Sequence, residues 1–509
     1  MLSKSKYISG LQCLRLLWFK ARKPSELPPI TDTTRMKFDQ GTQIGLLAQQ
    51  LFADGITIKH DDFFGGIAAT RATLTKGLPV FEAAFYDKEK NLYSRADILV
   101  PADQETWDIY EVKSAASLKN EYIEDMAFQK FVYQICGLQI QDCYIMHINN
   151  KYCREGELCC EELFKIENVN EKVEKAFEDI HWRIDEQNYT IAQNSPPEIN
   201  LDTCCFNPYE CPLMEKCWKD VPDQSVFELC GGHKLPAELY KQGVTYLKDI
   251  RLDLLELSEK QRNQIMVYRQ DKPLVQPDKI AEWLQQLQYP LYYLDFETYD
   301  TAIPLLDGCR PYQKIPFQFS LHIQQEKDGP AKHKSFLANG HDDERLALLQ
   351  ELQQSLGTEG SIVVYYEQFE KSVIRELGEL FPSYSDWAEQ INGRVVDLLL
   401  PFQDHYFHSP QQKGSASIKK VLPTLTDLNY GQMGISNGEQ ASFKFTRIVL
   451  GQADTEEEKT TKDNLLEYCH LDTLAMVKLT EALYQLADDR EVKTDITNRY
   501  EQLQFQLDT

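Results

Sequence analysis

The apolar positions change period several times along the chain, and those changes divide it. From about Phe38 to Leu51 they recur at helical spacing. Three runs then read as strands, LPVFEAAFYD from Leu78, NLYSRADILVP from Asn91 and TWDIYEVKSA from Thr106. An apolar helix is predicted from about Tyr122 to Gly137, then a strand at QDCYIMHIN, then a charged helical stretch over 160–195 that ends at NSPPE. The Cys-rich LDTCCFNPYECPLMEKCW closes a first part, 1–220. Residues 221–285 keep helical periodicity and are rich in Leu, Lys, Asp and Gln, which predicts a helical connector. The glycine in YKQGVTYLKDI also suits a helix-hairpin-helix, whose backbone amides can face a phosphate. A third part, 286–488, opens on the apolar strand PLYYLDFETYD and runs through IPFQFSLHI, SIVVYY and the helical FEKSVIRELGEL. It closes on the helix KDNLLEYCHLDTLAMVKLTEALYQL, and 489–509 read as a polar tail. Strands alternating with helices in both large parts predict an α/β multidomain chain.

Composition narrows the class. The chain has 509 residues, 42% of them hydrophobic and 26% charged, as in folded soluble proteins. That length excludes a single small module. Lys plus Arg number 54 against 79 Asp plus Glu, a net charge of −25, which counts against a protein whose main task is to coat nucleic acid. Basic residues gather near the start (Lys4, Lys6, Arg15, Lys20, Arg22, Lys23) and at Lys419 and Lys420. No apolar run reaches about 18 residues, so no membrane span is predicted. The first residues lack the pattern of a secretory signal. The 13 cysteines, odd in number and unevenly spread, favour reduced thiols or metal ligands in the cytoplasm over a disulfide framework.

A first chemical constellation lies in RADILV and IYEVKSA. Asp97 heads one strand, and Glu111 and Lys113, at i and i+2, share a face of another. Two carboxylates with water suit a hard divalent cation such as Mg²⁺ or Mn²⁺, and an ammonium beside them can orient water and stabilise charge on phosphate. Gln129 and Tyr133 follow at i, i+4 on one helix face. Taken singly, an Asp at a strand end is usually a cap and a Glu-x-Lys pair a solvated face. As an ordered set, Asp97, Glu111-x-Lys113 and Gln129-x-x-x-Tyr133 resemble the RecB-like branch of the PD-(D/E)XK nucleases. That resemblance implies metal-dependent phosphodiester hydrolysis in a restriction-endonuclease-like domain of mixed sheet flanked by helices. Asp97 and Glu111 would then be metal ligands, and Lys113, Gln129 and Tyr133 catalytic residues. Relatives often carry a metal-binding His on the early helix, where this chain has Gly45. Glu82 is either a replacement carboxylate or a surface strand residue.

The cysteines of the first part suggest a second feature. Cys205, Cys211 and Cys217 are evenly spaced in a loop with Pro208 and Pro212, and Cys204 adjoins the first. Thiols so placed suit a metal site. The arrangement resembles the iron-sulfur RecB-like nucleases, among them the AddB nuclease and the CRISPR-associated exonucleases, which use one early and three late cysteines. Cys13, followed by Arg15, matches the early position. The resemblance implies a [4Fe-4S] cluster on Cys13, Cys205, Cys211 and Cys217 that pins the two ends of the domain together. Zinc is the alternative, and the choice between Cys204 and Cys205 stays open.

The third part carries Asp295 and Glu297 on one face of an apolar strand, an arrangement that is costly unless a cation or hydrogen bonds compensate. Tyr468 and Asp472 share a helix face at i, i+4, and Glu370 opens a helix between them in sequence. This order resembles the DnaQ-like exonucleases of the RNase H-like fold. The resemblance implies that Asp295, Glu297, Glu370 and Asp472 bind two metal ions, that Tyr468 positions or activates water, and that nucleoside 5′-monophosphate leaves a 3′ end. The chain departs from that pattern with Glu370 where Asp is usual and Glu367 where Asn is common; Asp397 is another candidate acid or a cap. Gly414, Lys419 and Lys420 either approach phosphate or form a capped basic helix start.

Together the parts resemble an uncharacterised bacterial family that joins a RecB-like nuclease to a DnaQ-like exonuclease. The resemblance implies a metal-dependent DNA nuclease acting on single strands or ends, in repair, recombination or mobile-element defence. Two other classes stay open: an RNA-processing 3′–5′ exonuclease, and a noncatalytic nucleic-acid-binding scaffold with decayed sites.

Overall fold

The computed structural model describes residues 1–59, 62–103, 105–254, 256–431 and 433–488, so the tail expected at 489–509 lies outside the described residues. The chain separates into two units, Met1–Asp220 with Thr301–Gln313, and Val221–Asp300 with the residues from Lys314 onward. Both are α/β, with mixed sheets and helices packed on them.

The first unit begins with helices α1 (Lys4–Gln12), α2 (Leu14–Arg22) and α3 (Asp32–Gln49). Strands β1 (Val80–Asp87), β2 (Leu92–Pro101) and β3 (Thr106–Lys113) form an antiparallel meander. Helix α4 (Asn120–Ile135) then leads to β4 (Gln139–Ile148), which runs parallel to β3. The period-2 pattern is visible in β3, where Trp107, Ile109 and Glu111 are buried and their neighbours are less so. Tyr7, Phe128, Tyr133 and Ile145 fill the core under α4. Residues 160–195 are not continuously helical. β5 (Phe164–Asn168) pairs antiparallel with β4, from Tyr144 opposite Asn168 to Ile148 opposite Phe164. The free edge of β4 and the burial of Phe164 outweigh the helix preference of the surrounding Lys and Glu. Helix α5 (Ile180–Ala192) follows.

Thr301–Gln313 also belong to this unit, outside the span expected for it. Arg154 donates to the carbonyls of Pro304 and Leu305 at 3.0 and 3.1 Å, and the Tyr312 hydroxyl donates to the Ser114 carbonyl, beside Lys113.

The 221–285 segment is part of the second unit rather than a separate connector. Helices α6 (Lys234–Lys241), α7 (Glu259–Gln270) and α8 (Pro277–Leu284) accompany an apolar cluster of Val226, Leu229, Leu247, Ile250, Ile265 and Tyr268. Leu274–Val275 pair with Phe407–His408. After Gly243 the chain makes only a three-residue 3-10 turn, Leu247–Asp249, so the second helix of a helix-hairpin-helix does not form there.

The sheet of this unit has strands β6 (Leu291–Tyr299), β7 (Ile315–Gln324), β8 (Ala331–Leu337), β9 (Ile362–Val364) and β10 (Val395–Asp397), in spatial order β8-β7-β6-β9-β10. The first three are antiparallel, and β9 runs parallel to β6 and β10. Helix α9 (Glu367–Leu380) leaves β9, α10 (Ile418–Leu425) and α11 (Gly438–Val449) follow, and α12 (Thr455–Asp488) closes the unit. α12 starts at Thr455, about two turns before the Lys462 start that its apolar pattern suggests. The Asp454 carboxylate accepts from the amides of Glu456 and Glu457 at 3.0 and 2.9 Å, and three glutamates complement the dipole in the first turn.

Candidate functional site

In the first unit the strand ends and α4 bring five polar side chains together. Glu111, 1% exposed, accepts from Lys113 at 2.7 Å and from Gln129 at 2.8 Å. The Tyr133 hydroxyl donates to Gln129 Oε1 at 2.8 Å and lies 3.2 Å from the Ser94 hydroxyl. Asp97 Oδ2 accepts the Val112 amide at 2.9 Å. Two residues that the sequence reading did not assign to this site complete the group. Asp125, on α4, accepts from Lys113 at 2.6 Å, and Lys4, on α1, lies 2.7 Å from Glu111, 3.9 Å from Asp97 and 4.0 Å from Asp125. The carboxylate that joins Glu111 at Lys113 is thus Asp125, whereas Glu82 pairs with Arg95 at 2.8 Å. A side chain at Gly45 would meet open space.

Charge in this group is distributed unevenly. Burial alone would raise Glu111, but Lys113 and Lys4 hold it well below the usual carboxylate range. Asp97 is raised by burial and by Glu111. Burial opposes the charge on Lys113, yet Asp125 and Glu111 outweigh it and keep the ammonium protonated. Lys113 can therefore act here as a cation rather than as a base. The Lys4 ammonium stands among the three carboxylates, which shows that the donor set suits a cation; a metal ion would compete with Lys4 for Glu111.

The cysteine segment lies against the N-terminal helices. Cys13 precedes α2 and shares an apolar cluster with Leu16, Phe19, Cys211, Leu213 and Cys217. The Cys204 thiol donates toward both Cys13 and Cys205 and lowers each to about 6, with the amides of Arg15 and Leu16 adding to the effect at Cys13. Cys211 and Cys217 are raised by burial and interact with Cys13 and Cys205. Arg15 donates to the Pro197 carbonyl at 3.1 Å and to Cys217. All five of these thiols are free, and they neighbour one another between α2 and the 204–217 loop.

In the second unit β6 is buried along its length, and Asp295 and Glu297 emerge on one face of it. Glu370 from α9 and Asp472 from α12 join them, and all are buried or nearly so. Burial raises Asp295 well above the usual range, and Asp472, Glu370 and Glu297 add repulsion. Burial and Asp472 push Glu297 up to about 8, and burial pushes Asp472 up to about 6. Glu370 Oε2 has no hydrogen-bond partner although the residue is 2% exposed. Among the described residues, Asp295, Glu297 and Cys469 each bring a donor atom within 4.8 Å of the others. Lys419 supplies opposing charge, its ammonium 5.1 Å from the Tyr468 ring and 5.4 Å from the Tyr430 ring. An orphaned carboxylate oxygen among like charges fits a divalent cation.

Comparison with known proteins adds family relations. A family described as a domain of unknown function (DUF2779) matches residues 292–417, a span that includes Asp295, Glu297 and Glu370 but not Asp472. The chain is similar to "Uncharacterized protein UU173" of Ureaplasma parvum serovar 3, 25% identical over 257 residues, which cover 45% of this chain and 35% of the relative. It is also similar to "Uncharacterized protein MG366 homolog" of Mycoplasma pneumoniae, 24% identical over 235 residues, covering 42% and 35%. "Uncharacterized protein MG366" of Mycoplasma genitalium is 22% identical over 237 residues, covering 43% and 35%. The match thus spans about a third of these curated relatives' length.

Other sequence candidates take different places around the second group. Asp397 accepts from the amides of Tyr366, Glu367 and Leu399 at 3.0, 3.1 and 2.9 Å, so it fixes the start of α9, where Tyr366 has φ +92°. Glu367 pairs with Lys371 at 2.6 Å. Gly414, at φ +73°, packs on the Glu228 carbonyl, and Lys420 is exposed. The sequence reading missed Tyr430, whose hydroxyl donates to Asp472 at 2.6 Å, and Cys469. Cys469 was legible as the residue three before Asp472 on one helix face, while Tyr430 comes from a loop with no periodic signal.

Proposed function

We propose that the chain is a metal-dependent nuclease that hydrolyses phosphodiester bonds of DNA at single strands or ends, with an exonuclease centre in the second unit. The observation that carries the reading is the buried acid group Asp295, Glu297, Glu370 and Asp472, which repel one another and leave Glu370 Oε2 without a partner. The strand order β8-β7-β6-β9-β10, with three antiparallel strands followed by two parallel ones, supports an RNase H-like unit. Divalent metal held by these carboxylates would supply Lewis-acid charge and a nucleophile at neutral pH. Tyr430 and Tyr468 hold Asp472 by hydrogen bonds, and Lys419 offers positive charge toward a phosphate. In the first unit Asp97, Glu111 and Asp125 would hold metal, Lys113 would stabilise phosphate charge, and Gln129 would orient Glu111. Cys13, Cys211 and Cys217, with either Cys205 or Cys204 as the fourth ligand, would hold a [4Fe-4S] cluster that ties α1 and α2 to the 204–217 loop.

The test uses the purified full chain with 5′-labelled single-stranded DNA and RNA in Mg²⁺ and in Mn²⁺. Shortening that EDTA abolishes, and that falls at least about 100-fold in Asp295→Asn, is the expected result. Intact DNA and RNA in both metals would overturn the reading, and faster shortening of RNA would change the substrate. Anaerobically purified protein is expected to carry iron and acid-labile sulfide; stoichiometric zinc instead would replace the cluster proposal.

A further inference from the structure

The first unit has an open cavity of about 460 Å³, lined by α1, the start of α4 and the 203–208 segment. Tyr209, Lys119 and Tyr122 adjoin its lining residues Pro208, Asn120 and Glu121 in the chain, and the proposed chemistry does not use them. Tyr209 is 51% exposed, and Lys119 stands 5.7 Å from its ring and 5.9 Å from the ring of Tyr122. The Lys113 ammonium is 5.1 Å from that same Tyr122 ring. The rings and cations therefore form a continuous path from the surface to the first acidic group. The path is braced from both sides. The Tyr209 hydroxyl donates to Glu121 at 3.1 Å, and Gln12 donates to the Tyr209 and Cys204 carbonyls at 2.6 and 2.9 Å.

Stable exposure of a large aromatic ring next to a cation is what stacking on a nucleobase requires, because every base has a π-face. Glu121 and Glu124 on the cavity wall disfavour a phosphate there and leave the flat, uncharged base as the part that fits. We propose that Tyr209 and Tyr122, bridged by Lys119, form a stacking platform that takes an unpaired base of a single strand next to the phosphate at Lys113. This deepens the nuclease reading of the first unit and rests on it. A duplex end must unpair to use the platform, so single strands are the preferred ligand. Tyr209 lies between Cys205 and Cys211, so the loop that carries the thiols also places the platform.

The test measures binding of the full chain to fluorescein-labelled oligothymidylate and to an abasic oligomer of equal length, by anisotropy in Ca²⁺, with the oligomers checked for integrity. Tyr209→Ala is expected to weaken oligothymidylate binding about tenfold and to leave abasic binding unchanged, while Tyr209→Phe stays within about twofold of wild type. Oligothymidylate binding by Tyr209→Ala within about twofold of wild type would overturn the platform. Equal losses on both oligomers, or a Phe variant as weak as the Ala one, would overturn it too. Cleavage is scored separately. A chain that cleaves nothing yet binds bases through Tyr209 removes the nuclease reading and keeps the platform; a cleaving chain with unchanged Tyr209→Ala binding does the reverse.

Discussion

Lys4 and Lys113 hold the same carboxylate, Glu111 Oε1, at 2.7 Å each, so one anion serves two cations in the first unit. Replacing Lys4 by Met removes the cation that a metal would displace. The metal-free variant is expected to melt lower than wild type, and its affinity for Mn²⁺ to rise about tenfold, since even a heavily screened charge pair contributes about 1.4 kcal/mol. Calorimetric titration in an Asp295→Asn background reads the first group; unchanged affinity would contradict the competition. The second group predicts a pH dependence. Its folded, metal-free carboxyls keep protons that unfolded Asp and Glu release near 3.8 and 4.5, with Glu297 at about 8 and Asp472 at about 6. Between roughly pH 4 and 8 the folded state binds more protons, so stability falls as pH rises. Metal replaces those protons. The rise in Tm on adding Mn²⁺ should thus grow from pH 6 to pH 8, and equal increments at both would contradict the assignment.

At the scale of elements, two local devices hold the 221–285 segment to its unit. The first is Gly414, where a Cβ would lie 2.1 Å from the Glu228 carbonyl oxygen at φ +73°. Gly414→Ala is expected to cost more than about 2 kcal/mol in a denaturant titration, through strain and forced separation of backbone. The second is the strand pair Phe407–His408 with Leu274–Val275. His405 and His408 stack there with ring centroids 4.2 Å apart, and neither His408 nitrogen has a partner. Burial lowers His408 to about 3 and His405 to about 4. Unfolded His takes its proton near 6.5, so this stability is complete above pH 6.5 and is lost as pH falls toward 4. His408→Phe should stabilise the protein by about 2 kcal/mol more at pH 5 than at pH 8, measured by denaturant midpoints. Neither device was legible in the sequence. The strands and helices bearing Asp97, Glu111, Asp295 and Tyr468 were, because period 2 and period 3.6 mark single elements. Which core a segment such as 221–285 or 301–313 joins depends on partners far away in the chain, and periodicity carries no record of them. Lys4 and Asp125 escaped for the same reason, since only the folded chain brings α1 and α4 to Glu111.

For the whole molecule the net charge of −25 sets how a nucleic acid can be held. The acids in the two groups are a small share of the 79, so most of the negative charge is solvated surface. The N-terminal basic residues offset less of it than their number suggests. Lys4 is spent on Glu111, Lys20 donates to Ser9 at 2.7 Å, Lys23 pairs with Glu26 at 2.7 Å, and Arg15 turns to the Pro197 carbonyl and Cys217. Exposed cations such as Arg22 and Lys420 remain for phosphate, whereas Lys119 is offset by Glu121 at 3.9 Å and stands with the aromatic side chains of the first unit. With about three phosphate contacts, each contributing about −0.7, the log–log salt slope for a single strand should be near −2. Base stacking carries no counterion release, so an abasic oligomer should bind more weakly with the same slope. Anisotropy titrations from about 50 to 200 mM salt read both quantities. A slope steeper than about −5 would mean an extended basic track and would exclude end-directed binding through a few cations and rings.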